Sequence, residues 1–465
     1  MQDILESALD DAGFLELRFH ERRSLSVRVE DGRVEAATSG LRAGVGVRAL
    51  WDGAWGFAST TELTRAGIRK AVEQARAAAK SASVRRKARV EQIARGALAR
   101  GTFETAARDP LKGHSVEEKV ALALRCCQVA QKAHPHIKSA DSRYTELIDE
   151  KIIVTSDGVR ARILDVKPEL RIEAVAGFEG ELQSAMEAVG KTGGLGDLFA
   201  DGTPEQLAEK AAQTAVDLLR AGHPEPGRKQ VVLAPDVVGL LIHEAIGHTV
   251  EADFVLSGSA AAGKLGQQVA SPLVTIGDTG ESLWEAGAGG TIPVDDEGVT
   301  AGRADIIKDG VLTGYLHNRE TAARFGVEPT GNARAFNYND VPLIRMRNTF
   351  LAPGQTALGE MLAGVDDGYM LVGAKNGQAD ANAEFMFAVQ EVYSIKRGKL
   401  GPLLRGCTMT GNAFDVLRSV DAVGDAFAWR LGSGYCGKGQ PAKVDAGGPH
   451  VRCQVVLGGR DEGEE

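Results

Sequence analysis

His243-Glu244-Ala245-Ile246-Gly247-His248 places two imidazoles and a carboxylate within six residues. These are the parts of a hydrolytic zinc centre: imidazole nitrogens hold the ion, and a neighbouring carboxylate takes a proton from water. The spacing departs from the common pattern, in which the histidines stand four apart on one helical face. Five steps of an α-helix turn ~500°, leaving the side chains roughly 140° apart. A regular helix therefore cannot aim both rings at one ion. A π-bulge or an unwound turn brings them together, and such irregularities gather at functional sites. Gly247, just before the second histidine, is where that distortion is expected to cost least strain. The competing reading is two unrelated helical histidines, one buried and one exposed.

A catalytic zinc wants three protein ligands and one open position. Four residues compete for the third place. Cys436 lies in Gly432-Ser433-Gly434-Tyr435-Cys436-Gly437-Lys438-Gly439, a loop flexible enough to deliver a thiolate, with Lys438 available to lower its pKa. Glu251 and Asp253 follow His248 closely, and Cys407 ends a basic stretch. On chemistry alone the order is Cys436, Glu251, Cys407. Cys453 alternates with polar residues as in a strand, and Cys126 and Cys127 sit inside a helix, so these read as small core residues. Tyr315, His317 and Arg334 are candidates for oxyanion stabilisation, each also readable as structural.

Stepping outward, the motif segment is apolar almost all round (Val237, Val238, Leu240, Leu241, Ile242, Ala245, Ile246), so it reads as a buried helix capped by Asp236. Buried imidazoles and carboxylates need partners, which strengthens the metal reading. Upstream, a short helix at 2–11 precedes alternating strands near Leu25–Val29 and Val45–Val47, with hairpin turns at Asp31-Gly32 and Asp52-Gly53. Helices are expected from Thr64 to Lys80, from the capping box Ser115-Val116-Glu117-Glu118 to Ala133, and from Thr203-Pro204 to Ala221. Strands are expected at 150–155, 159–166 and 170–178, and a loop at 191–201. The arginine-rich stretch 84–100, with Arg85-Arg86-Lys87, reads as a solvated helix or linker. The break Gly222-His223-Pro224-Glu225-Pro226-Gly227 divides the chain. The expected class is α+β: an N-terminal α+β domain (1–222) of antiparallel strands and helices, then a β-rich catalytic domain (228–465) carrying the metal-binding helix.

The chain has 465 residues, 43% hydrophobic and 25% charged, which suits a large-cored globular protein. A net charge of −9 gives no broad attraction to nucleic acid or anionic membranes. No apolar stretch approaches the ~20 residues of a membrane span. The N-terminus lacks a signal-peptide pattern, and five cysteines without one argue against a disulfide framework. A cytoplasmic protein with reduced thiols is expected.

Taken together, several segments resemble the TldD/PmbA family, and its TldD branch in particular. They are the histidine motif continued by Glu251-Ala252-Asp253-Phe254, Gly331-Asn332-Ala333-Arg334, Arg345-Met346-Arg347-Asn348-Thr349 with Pro353-Gly354, and the Cys436-Gly437 loop followed by Gln440-Pro441. The resemblance spans essentially the whole chain. It implies a cytoplasmic zinc metalloprotease with His243, His248 and Cys436 as metal ligands and Glu244 as general base. It also implies an extended peptide substrate and a homodimer, or a heterodimer with a PmbA (TldE)-like chain. A non-catalytic peptide-binding or regulatory scaffold, with a structural metal or none, is the alternative.

Overall fold

The computed structural model describes residues 1–10, 12–84, 88–105 and 111–458. The basic run Arg85-Arg86-Lys87 lies outside the described residues.

The first half is built on one strongly paired sheet. Its strands are β1 (Phe14–Glu30), β2 (Arg33–Trp51), β3 (Ala54–Thr60), β4 (Arg100–Glu104), β5 (Ile137–Thr155), β6 (Arg160–Phe178) and β7 (Glu181–Gly190). They run in the order β3-β2-β1-β5-β6-β4, with β7 also pairing β6. The Asp31-Gly32 and Asp52-Gly53 turns fall where expected, and Asp157-Gly158 turns β5 into β6, but the strands are longer than the alternation indicated. β2 begins at Arg33, and the two strands expected at 159–166 and 170–178 are one. Pro168 sits inside β6 opposite Glu146, next to where the β7 pairing starts at Glu169.

Helices Arg65–Ser83, Val116–Lys132 and Pro204–Leu219 cover one face of this sheet. The first is capped by Thr64, and the capping boxes at Ser115 and Thr203 are both formed. The initial helix is shorter than expected, Gln2–Glu6, and the loop expected at 191–201 holds a helical turn, Leu195–Leu198. Leu15, Leu17, Phe19, Leu25, Val27 and Val29 of β1 bury apolar side chains beneath the helices. On the other face Glu16, Arg18 and His20 are polar, yet only 1–2% exposed. That face packs on the second half of the chain. Arg48 bridges Glu16 and Glu297 at 2.7 and 2.6 Å, Lys151 pairs with Asp296 at 2.8 Å, and the Arg22 guanidinium lies 3.8 Å over the Phe336 ring.

The second half carries two larger sheets. One joins six short strands around Ile276–Thr279 and Asn348–Leu351. In the other, Asp367–Ala379, Gly227–Leu233, Val451–Gly458, Thr408–Asn412 and Glu384–Lys396 pair in sequence, and the last pairs back to the first, so the strands close on themselves. Residues 291–294 and 311–317 are only weakly paired, with isolated bridges at Val294 and Leu316 and the two-residue strand Val311–Leu312. The helix Pro235–Leu241 and the motif beyond it share the apolar core of this half. Asp236 is not the cap; its carboxylate accepts from the Ala374 amide at 2.6 Å instead. The fold is α+β.

Candidate metal centre

The α-helix stops at Leu241 and continues as a π-helical turn, Ile242–Gly247, then a 3₁₀ turn, His248–Val250. In a π turn residue i bonds to i+5, so positions five apart stack as positions four apart do in an α-helix. His243 and His248 accordingly face one another, ring centroids 5.5 Å apart at 83°. The reason for Gly247 differs from the one expected. Its backbone is ordinary right-handed helix, φ −52° and ψ −49°. The constraint is space: a Cβ there would meet Met346 Sδ at 1.8 Å.

Cys436 reaches the histidines from a hairpin of Tyr435–Gly437 and Pro441–Lys443, in which it pairs with Ala442. Its Sγ lies 3.1 Å from His248 Nε2. One donor atom each from His243, His248 and Cys436 all fall within 4.8 Å of one another. Tetrahedral zinc with bonds of ~2.0–2.3 Å sets its ligand atoms roughly 3.4–3.7 Å apart, so small rotations of these side chains close the set. The donor chemistry, two imidazoles and a thiol, suits zinc. Burial pushes the Cys436 thiol up, but His243 and His248 outweigh it and hold it down to about 4. Burial likewise pushes His248 down, and Cys436 and Glu251 hold it up to about 10. The site thus favours a thiolate, the form that ligates metal. The two imidazoles, rather than Lys438, are what lower the thiol.

Two residues, half-buried Lys438 and buried Arg345, hold the hairpin against the motif. Lys438 Nζ donates to Glu251 Oε2 and Asp253 Oδ1, both at 2.9 Å, and to Ile344 O at 3.1 Å. Arg345 donates to the carbonyls of Gln440, at 2.7 Å, and Cys436. Arg345 was not singled out as a site residue, because a buried arginine leaves the same trace in sequence as a solvated one. Glu251 stands behind the donor set: its Oε2 is 3.3 Å from His248 Nδ1, on the ring edge away from Cys436. It is fully buried, with Oε1 lacking a hydrogen-bond partner, as does His243 Nδ1.

Glu244 Oε2 lies 3.7 Å from His248 Nε2, beside the point where the donors converge. Its side chain is 24% exposed and borders a cleft of about 600 Å³. Gly377, Gln378 and Ala379 form part of the opposite wall. The other candidates lie elsewhere. Cys407 packs against the core, its thiol pushed up to about 11 by burial, and Cys453 is buried in a strand. Tyr315 donates to Ala261 O, His317 Nδ1 meets Thr321 Oγ1, and Arg334 donates to Met346 O. None of the three lines the cleft.

Three family descriptions match in succession: PmbA/TldA metallopeptidase domain 1 at residues 15–79, the central domain at 109–219, and the C-terminal domain at 226–458. The chain belongs to the PmbA/TldD metallopeptidase family. Among its curated relatives, a Metalloprotease of Methanothermobacter thermautotrophicus is 33% identical, over 98% of this chain and 97% of its own. The Metalloprotease TldD homolog of Haemophilus influenzae is 30% identical, over 96% and 93%. The Zinc metalloprotease TldD homolog of Saccharolobus solfataricus is 29% identical, over 96% of each chain. The fold is similar to that of TldE from Thermococcus kodakarensis, with TM-score 0.77 and 16% identity over 98% of each chain. A Thermotoga maritima protein, described as a candidate modulator of a DNA gyrase, gives TM-score 0.80 and 23% identity, again over 98% of each. Among the described residues no helix is long and apolar enough to cross a membrane.

Proposed function

We propose that this chain is a zinc-dependent peptidase that hydrolyses unfolded or extended peptides. In this reading His243, His248 and Cys436 hold the ion, and Glu244 is the general base. The observation that carries it is the convergence of three donor atoms within 4.8 Å at a cleft bordered by Glu244. When bound, zinc supplies Lewis acidity, lowering the pKa of a coordinated water toward ~7 and polarising a scissile carbonyl. Glu244 accepts the water proton and passes it to the leaving amine. Glu251 fixes the His248 tautomer through Nδ1, and Lys438 ties the thiolate hairpin to that same carboxylate. A structural zinc is closed by four protein donors. Three converge here among the described residues, which favours a catalytic centre over a scaffold with a structural metal.

The cleft wall supports the substrate class. Strand Asp367–Ala379 pairs with Gly227–Leu233 only over Tyr369–Leu371. Its end at Gly377–Ala379 borders the cleft with one backbone edge free of a strand partner among the described residues. An extended peptide adds to such an edge through backbone hydrogen bonds, which tolerates many sequences. We further propose a cytoplasmic enzyme whose residues 228–465 carry the centre and whose residues 1–222 brace it. It works as a homodimer or beside a TldE-like chain, a pairing supported by the likeness to the TldE fold. Glu244→Ala should retain metal and lose peptide cleavage by ~10²–10⁴-fold. Full activity in that variant removes Glu244 from the reaction.

A further inference from the structure

A second polar chamber lies away from the cleft, between the charged face of β1, β5 and β6 and the second half of the chain. Its volume is about 40 Å³. One water needs ~10–15 Å³, so the space suits about three waters or one oxyanion. Five cations line it: Arg22, Lys151, Lys167, Arg334 and Lys443. Three carboxylates line it with them: Asp149, Asp165 and Asp296. Most of these charges are matched. Arg22 grips Asp149 through Nε and Nη2, both at 2.7 Å. Lys151 takes Asp296, Lys167 takes Asp165 at 3.1 Å, and Lys443 takes Glu169.

Among the described residues two donors, on Arg22 and Arg334, are left over, against one acceptor, Asp165 Oδ1, which sits 3.1 Å from the Lys167 ammonium without a hydrogen bond. The Arg22 side chain is nine-tenths buried, and its Nη1 has no hydrogen-bond partner. Stacking over Phe336 at 3.8 Å and the grip on Asp149 keep it from swinging away. Arg334 has one hydrogen bond, from Nη1 to Met346 O at 2.7 Å. Among the described residues no carboxylate lies within ion-pair distance of it. Burial, with Arg345 beside it, pushes its guanidinium down to about 10, although Asp296, Asp165 and Asp278 act the other way. Burial pushes Lys167 down to about 8, with Arg334 and Lys443 adding to it and Asp165 opposing. Buried cations without counterions are costly, and this cluster is short of negative charge.

We propose that the chamber binds a small oxyanion, inorganic phosphate or a carboxylate, held by Arg22 Nη1 and Arg334. This inference is independent of the peptidase reading. Pro441, Ala442 and Lys443 form one wall, and Ala442 is the cross-strand partner of Cys436. An anion in the chamber therefore braces the hairpin that carries the thiol.

The test is calorimetric titration of the full chain with sodium phosphate at constant ionic strength, with chloride as the control and acetate as a second arm. Saturable binding near one anion per chain, with a rise in Tm that chloride does not reproduce, is expected. Stronger binding of acetate than of phosphate identifies a carboxylate as the ligand, and the reverse identifies phosphate. Arg334→Gln should weaken binding ~10–100-fold, the loss of one charged hydrogen bond. Arg334→Lys, which keeps the charge, should lose less and guards against a folding defect. Absence of saturable binding by either anion, or unchanged affinity in a folded Arg334→Gln, overturns the proposal.

Discussion

The two faces of the N-terminal sheet are built from the same strands and held by different physics. On one, Leu15, Leu17, Leu25, Val27 and Val29 of β1 lie under helices. On the other, Glu16, Arg18 and His20 are as deeply buried: Glu16 pairs with Arg48 and His20 meets Asp149 within the sheet, and Arg18 faces Asp296 of the second half at 3.7 Å. Alternation of apolar and polar residues ordinarily marks a strand with one wet face. Along Leu15–His20 both faces are dry, whereas Arg28 and Glu30 further along the charged face are exposed. The apolar face gains from burial with little regard to geometry. The charged face offsets its desolvation only by placing nearly every charge against its opposite. The lesson extends to the metal centre, where His243 Nδ1 and Glu251 Oε1 remain unsatisfied. Where buried polar groups are all matched, as in the fully buried pair Arg347–Asp278 at 2.7 Å, the chain is building structure. A leftover polar atom points to a ligand only where a cleft or chamber adjoins it, since Arg18 Nε, Asn332 Oδ1 and Arg345 Nε also lack hydrogen-bond partners among the described residues.

The largest effect that separates the faces comes from Arg48. Arg48→Met strands two buried carboxylates, Glu16 and Glu297, and should cost about 3–5 kcal/mol. Leu17→Ala, opposite in kind, should cost about 2–5 kcal/mol by leaving a cavity. Denaturant melts of the two variants check this, and a cost under ~1 kcal/mol for Arg48→Met would show the charged face to be solvated. The faces also differ in pH response. Burial pushes the Asp296 carboxyl up, but Lys151 and Arg18 outweigh it and hold it down to about 2. Its folded pKa is below the unfolded one, so its contribution is fully present above about pH 4 and is lost as pH falls toward 2. About 2 kcal/mol is at stake. Asp296→Asn should flatten that acid limb of stability against pH, whereas Leu17→Ala should only lower it.

At the metal centre, Glu251→Gln should weaken zinc binding ~10–100-fold, as expected for a ligand-orienting partner. Competition with a chelator reads this directly, and unchanged affinity would reduce Glu251 to a structural role. The smallest effect is steric. Gly247→Ala should cost about 1–3 kcal/mol through overpacking against Met346, and Met346→Ala in the same chain should recover part of that loss in a thermal melt.

Much of the site was legible because its chemistry is local. Histidines five apart cannot share a face of an α-helix, so a shared ion called for a π-bulge or an unwound turn, and the structure contains a π turn. Cys436 ranked first for the third position because thiolate is a good zinc ligand in a flexible loop, and its Sγ does reach His248 Nε2. Helix starts were readable where a side chain caps the backbone, as at Thr64, Ser115 and Thr203. Long-range features left no such trace. The clasp of Arg345 and Lys438 on the hairpin joins residues about ninety or more apart in sequence. The charged rows of β1 read as solvent-facing until a second surface covers them. Gly247 was expected to ease the backbone, but the close approach of Met346 is a tertiary contact that no local pattern records.

The central claim is that three side chains from two distant segments hold one zinc ion. X-ray absorption at the zinc edge, on protein purified without chelator, tests it most directly. The account predicts one zinc per chain, with a single sulfur at ~2.3 Å and nitrogen ligands at ~2.0–2.1 Å, and loss of the sulfur shell in Cys436→Ser. Failure to retain metal, or a sulfur shell unchanged in Cys436→Ser, would contradict it.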